Sequence, residues 1–180
     1  TLLLTTLSVN RTETLDSSIV QKELADIQAA FQRLDADCVL KEDDYELVSR
    51  HGLAVLMQPG LLPAWEAERN RGWRGPYMAE EARRTVDLGG SSISTTGQAP
   101  VAGGQEVPVV CTPYVKGGND GHFYRVVPQL DGDGAIEQLW VVFPGDSGLM
   151  TGVPDVNSSD PAEKDAFEQY PYKRRLLLRN

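Results

Sequence analysis

Histidine and cysteine are scarce in this chain: two of each among 180 residues, at His51, His122, Cys38 and Cys111. That scarcity excludes the Cys and His clusters at ligand spacing on which zinc sites are built. Neither a Gly-x-Ser-x-Gly elbow nor a His-Glu-x-x-His motif occurs. Positive charge is also short, with 17 Lys and Arg against 26 Asp and Glu and a formal net charge of −9. That balance argues against nucleic acid as a partner, which needs a basic surface to displace counterions from phosphate. Long apolar runs are missing too. Thr1-Leu2-Leu3-Leu4-Thr5-Thr6-Leu7 is too short and interrupted to cross a bilayer. It has no basic n-region or small-residue cleavage site of a signal peptide, and it reads as the ragged start of something whose upstream part is missing here.

What is present describes a folded protein. At 41% hydrophobic and 24% charged residues, general disorder is excluded, and the length suits one domain with a real core. The 17 glycines and 11 prolines fall mostly after residue 58 and mark a turn-rich second half. A single cysteine pair fits an oxidising compartment and one Cys38–Cys111 disulfide; two unpaired thiols are equally allowed.

The clearest element is a helix over 15–38. Val20, Leu24, Ile27, Phe31, Leu34 and Cys38 recur at spacings of four and three and form one apolar stripe. Asp16 or Ser17 would cap its start. A short helical stretch through Tyr45–Val48 and Leu53–Met57 ends at Pro59-Gly60. Residues 87–105, rich in Gly, Ser and Thr, read as a long exposed loop or irregular edge hairpin. Val107–Val115 carries Pro108 and Pro113 and reads as an edge strand or an irregular one. The apolar runs Phe123–Val127 and Ile136–Phe143 flank Asp131-Gly132-Asp133-Gly134, a β-hairpin signal. Ser159 or Asp160 before Pro161 suits a helical turn to Phe167, and Tyr172–Leu178 adds a last strand. The expected class is α+β: a long N-terminal amphipathic helix packed on a small antiparallel sheet.

Catalytic readings are weak. Cys38 with His51 or His122 would supply a nucleophile and a base, but Cys38 lies on the apolar stripe, where a buried or disulfide-bonded role is favoured. Asp131–Gly134 with Glu137 is a fragment of a calcium loop without the remaining EF-hand ligands, so a turn is favoured. Gly117–Gly121 lacks the Lys-Ser/Thr and the strand–loop–helix setting of a phosphate loop.

One region resembles a known family. His51-Gly52-Leu53-Ala54-Val55-Leu56-Met57-Gln58-Pro59, followed by Gly72-Trp73-Arg74-Gly75-Pro76-Tyr77-Met78, is similar to the Gly-Leu-x-x-Leu helix and Trp-x-Gly-Pro-Tyr-Leu segment of the major pseudopilins of type II secretion systems. Val141–Gly148 is similar to that family's strand and Gly-x-Asp-Gly turn, and Pro113-Tyr114 keeps the end of its Asp-Pro-Trp-Gly-x-Pro-Tyr segment. The resemblance implies a single pilin-like periplasmic domain over 1–180, held at the inner membrane by a helix upstream of Thr1. It implies a fibre subunit, not an enzyme, with like subunits, minor pseudopilins and an assembly platform as partners. The fold motif would comprise Gly52, Leu53, Leu56, Trp73, Gly75, Pro76 and Tyr77. Calcium in a C-terminal loop is also implied, with Asp146, Asp155 and Asp160 as candidate ligands at a spacing that differs from the family's. The alternative is a minor-pilin adhesin or secreted binding module that uses residues 87–121.

Overall fold

The computed structural model describes residues 2–78, 83–87, 106–110, 124–144 and 152–178. Helix α1 runs over Leu2–Cys38, about 55 Å at the ~1.5 Å rise of an α-helix. It begins well before the expected start at 15; helix continues straight through Asp16 and Ser17, so neither serves as a cap. Val20, Leu24, Ile27, Phe31, Leu34 and Cys38 are all buried, as the spacing predicts, and Ala30 joins them. The helix ends where Val39 turns left-handed at φ 51°. There the Val39 amide reaches Asp35 O at 2.7 Å and the Leu40 amide reaches Asp35 Oδ1 at 3.1 Å.

Helix α2, Glu42–His51, starts with Asp44 Oδ2 accepting the Lys41 amide at 2.9 Å. Its first turn is acidic (Glu42, Asp43, Asp44) and its last basic (Arg50, His51), which suits the helix dipole. Gly52, at φ 57°, tightens the chain into a 3-10 turn over Gly52–Leu56. Leu53 and Leu56 of that turn enter the core that α1 covers.

The sheet is antiparallel and three-stranded, in the order β3 (Arg125–Leu130), β4 (Ile136–Val142), β5 (Lys173–Leu178). The expected hairpin is present, with Gly134 at φ 83° and the Asp131 amide closing on Ala135 O at 2.8 Å. A separate two-stranded sheet pairs β1 (Arg83–Asp87) with β2 (Glu106–Val110). The sequence reading placed a strand near β2 and none at β1.

The sheet is covered on both faces. Val126, Leu139, Val141 and Leu176 face the core under α1. Val127, Val142 and the half-buried Trp140 face a second cluster built on Val156 and Phe167. Phe167 belongs to α3, Pro161–Gln169, whose cap is Asp160: its Oδ1 accepts the Ala162 amide at 2.9 Å, and Pro161 follows at the first turn. The architecture is thus α+β, with a long helix on one face of a small antiparallel sheet and a short helix on the other.

Two glutamines one heptad apart fasten α1 to β5. Gln21 Nε2 donates to Pro171 O and Gln28 Nε2 to Arg175 O, each at 2.7 Å. Pro171 lies just before the strand, so the Gln28 bond is the one that gives a β5 carbonyl the partner a neighbouring strand would otherwise supply.

Candidate functional site

The Gly52–Tyr77 segment winds across the C-terminal end of α1 as one connected corner. Trp73 Nε1 donates to Val55 O at 2.7 Å, tying the loop to the 3-10 turn. Tyr77 packs edge-on against Trp73 at 5.8 Å between ring centroids. Its hydroxyl donates to Asp37 Oδ2 at 3.0 Å and accepts the Arg74 amide at 2.9 Å. Arg33 Nη2 donates to Tyr77 O at 2.9 Å, so α1 grips both ends of that residue. The polar tips expected of Trp73 and Tyr77 are therefore both used, and both join the segment to helical elements.

Gly75 leaves no room for a side chain, because a Cβ there would lie 2.6 Å from Trp73 Cζ2 and 2.8 Å from Tyr77 Cδ2. The Gly75-Pro76 peptide is cis. Gly72 is more tightly held still: it sits at φ 122°, donates its amide to Asp37 O at 2.8 Å, and a Cβ would fall 2.3 Å from Ala64 O. Gly75 is among the residues expected of the fold motif, and Gly72 is not. Its only sequence signal is a glycine immediately before the tryptophan.

Between α1, α2 and the loop lies a small cleft of about 60 Å³ lined by Cys38, Lys41, Asp44, Glu66, Arg71 and Gly72. Cys38 is a free, buried thiol. Burial first, and then the carboxylates of Asp44, Asp37 and Asp35, push that thiol up to about 11. At neutral pH the sulfur is protonated, the form that does not attack electrophiles. His51 is not in the lining of this cleft, and burial together with Arg50 lowers its pKa. Cys111 and His122 lie outside the described residues.

Two of the three candidate calcium ligands each hold a backbone amide. Asp155 Oδ1 accepts the Asn157 amide at 2.9 Å, and Asp160 Oδ1 accepts the Ala162 amide as the α3 cap. Asp146 lies outside the described residues, and so does most of the 87–121 region. Among the described residues no three His, Cys, Asp or Glu side chains converge in a way that would hold a metal ion. Asp131 of the fragmentary calcium loop is a turn residue: its Oδ1 accepts the amides of Asp133 and Ala135, each at 2.9 Å.

On the opposite face of the sheet Lys173 closes the end of α3. Its ammonium donates to Glu168 O at 2.5 Å and to Tyr170 O at 3.4 Å, and lies 5.3 Å from the Phe167 ring centroid and 5.5 Å from that of Trp140. Burial lowers its pKa, against the pull of Glu168. Nothing in the sequence pattern connected Lys173 to this helix.

No protein-family model, curated protein or solved structure matches the chain. The geometry is left to carry the functional reading. Its main content is a corner and a long helix held by many small bonds, and no helix among the described residues is long and apolar enough to cross a membrane.

Proposed function

We propose that this chain is a structural subunit of a pseudopilus or pilus-like fibre that serves type II-like protein secretion across an outer membrane. The observation that carries the reading is the form of α1. Some 18 of its residues, about 27 Å of helix, precede Val20, the first of its described side chains to be buried. The part from Val20 to Cys38 is bound to the sheet by the apolar stripe and by Gln21 and Gln28. The Gly52–Tyr77 corner then locks the far end of the helix through Asp37 and Arg33. A domain hung rigidly on a long helix suits a subunit whose helix packs along a fibre axis while the domain decorates the outside.

In this reading the helix continues upstream into the inner membrane, the domain lies in the periplasm, and the partners are like subunits, minor pseudopilins and an assembly platform. The role is mechanical: subunits added at the base push cargo outward. The test is removal of the gene from its native host, followed by recovery of secreted proteins from periplasm and medium. Accumulation of folded cargo in the periplasm, reversed by the intact gene and not by one carrying Phe31→Asp, is expected. Unchanged secretion, with no sheared fibre containing the chain when it is overproduced, overturns the reading.

A further inference from the structure

Among the described strands, β3 is an outer strand of its sheet, with β4 on one side. Such an edge presents unpaired amide and carbonyl groups to any strand that approaches. Here the side chain of Asn157 meets that edge as a strand would. Its Oδ1 accepts the Leu130 amide and its Nδ2 donates to Pro128 O, both at 2.8 Å. A carboxamide has one donor and one acceptor in the arrangement of a peptide unit, and both are used on residues two apart, the spacing of groups that share one side of a strand. Pro128 and Leu130 therefore turn their backbone groups away from β4. Pro128, which is buried, has no amide donor to offer on this side, and the exposed end of the strand lies beyond it at Leu130.

Asn157 is itself held in place. Its amide donates to Asp155 Oδ1 at 2.9 Å, the Ser158 amide donates to Asp155 O at 3.2 Å, and neighbouring Val156 is buried against Phe167 and Val142. The residue is exposed, so burial does not account for its position. Leu130, the strand's last residue, keeps 41% of its surface exposed, one of two large apolar side chains to do so among the described residues. An apolar, open strand end is the kind of place where a second chain adds itself.

We propose that Asn157 acts as a strand-mimicking clip which, with Pro128, closes the end of the β3 edge against a strand from a second copy of this chain. The segment 152–160 is then a strap across the sheet edge, and its register is set by a side chain. This device is independent of the fibre reading and operates in a monomer of any function.

Amide hydrogen exchange of the unmodified protein tests the clip first. The Leu130 amide should exchange at least about fivefold more slowly than an unbonded amide, the factor expected for one net hydrogen bond. Leu130 exchanging as fast as the Gly132 amide of the turn overturns the proposal without any variant being made. In Asn157→Ala the Leu130 amide should lose that protection. In Asn157→Asp it should keep it, because the acceptor remains while the donor to Pro128 O is gone. Equal protection in all three proteins sinks the clip. The sealing role is read by sedimentation velocity on Pro128→Val/Asn157→Ala, compared with the unmodified chain over a hundredfold range of concentration. Association that grows with concentration only in the double variant is expected; matched sedimentation of the two folded proteins overturns the sealing role.

Discussion

Gly72 and Val39, which line the same cleft at the end of α1, are opposite cases of backbone geometry. At Gly72 a left-handed φ of 122° coincides with a Cβ position 2.6 Å or less from backbone atoms of Ala64 and Trp65, which cannot rotate away. Gly72→Ala should therefore cost about 2–3 kcal/mol, a fall in Tm of about 5–10 °C for a domain of this size. Gly60→Ala, also at positive φ but with nothing within 4 Å, is the control and should cost about 1 kcal/mol. At Val39 the strain is already present: a β-branched residue is held at φ 51° with 56% of its surface in water. Val39→Gly relieves a left-handed penalty of about 1–2 kcal/mol and gives back about 0.5–1 as chain entropy. A net gain of about 0.5–1 kcal/mol is expected by urea titration. Tyr77 sets an alkaline limit on stability. Burial first, and the bond to Asp37 after it, raise the phenol from its usual 10 to about 12 in the folded protein, while the Arg74 amide pulls the other way. A folded pKa above the unfolded one gives stability that is whole below pH 10 and is lost as pH climbs from 10 through 12. Cys38, raised from 9 to about 11, adds a loss in the same direction over a slightly lower window. Tyr77→Phe should lower Tm at pH 8, where its two hydrogen bonds are missing, and should flatten the decline in Tm between pH 9.5 and 11.5.

Among the elements, α1, the β3–β4 hairpin, β5 and the start of α3 are legible because each is specified by neighbours in sequence. Val20 to Cys38 keep one helical period, Asp131–Gly134 close a turn between apolar runs, and Asp160-Pro161 is a cap followed by a residue suited to the first turn. The second covered face was present in the sequence as Val126-Val127 and Val141-Val142-Phe143, runs of consecutive apolar residues where a sheet wet on one side would alternate. It is recognisable only once Phe167 is known to lie beneath Val127 and Val142. The Gly52–Tyr77 corner was legible as a motif but not as a device, since Asp37 and Arg33, which hold it, lie 40 and 44 residues from Tyr77 in sequence and Gly72 carries no pattern of its own. The start of α1 was misjudged for the opposite reason: Asp16 and Ser17 are competent caps, and a local preference says nothing when helix already precedes it. The 152–160 loop yields a prediction at this scale. Its carboxylates at 155 and 160 each hold a backbone amide, and Glu163 Oε2 accepts the Asp155 amide at 3.1 Å, so the loop is tied by its own side chains. Melts in millimolar calcium and in excess chelator should coincide within about 1 °C. A bound cation at a hundred times its Kd would separate them by about 2.7 kcal/mol, or about 5–11 °C, and would place a ligand set around Asp146 and this loop.

At the scale of the whole molecule, the question is whether two clusters on opposite faces of one sheet behave as one core. The larger contains the α1 stripe, the 3-10 turn and Tyr77; the smaller rests on Phe167 and Val156. Among the described residues they meet through the sheet, at every other residue of the same strands. Leu139 and Val141 belong to one cluster, Trp140 and Val142 to the other, and all four lie consecutively in β4. Phe143 extends the link, since its ring lies 5.6 Å from Tyr124 and 6.0 Å from Tyr172 while its carbonyl accepts the Tyr170 hydroxyl at 2.6 Å. A strand cannot lose one face and keep the other, because its pairing with β3 and β5 fixes both. Loosening the α3 layer exposes the hydrogen-bonded backbone that also positions Leu139 and Val141. The two clusters should therefore unfold together as one domain. The tryptophans report them separately: Trp140 stacks edge-on with Phe167 at 5.6 Å, whereas Trp73 lies against Tyr77. In urea, a Trp65→Phe/Trp73→Phe protein reports the α3 face and a Trp65→Phe/Trp140→Phe protein reports the corner. In each variant the fluorescence midpoint should match that variant's own far-ultraviolet circular dichroism midpoint within about 0.2 M, with one slope m for both probes. An earlier Trp140 transition, with helical signal still largely in place, would show that α3 and its strap are a separable layer and that only α1 and its corner form the core.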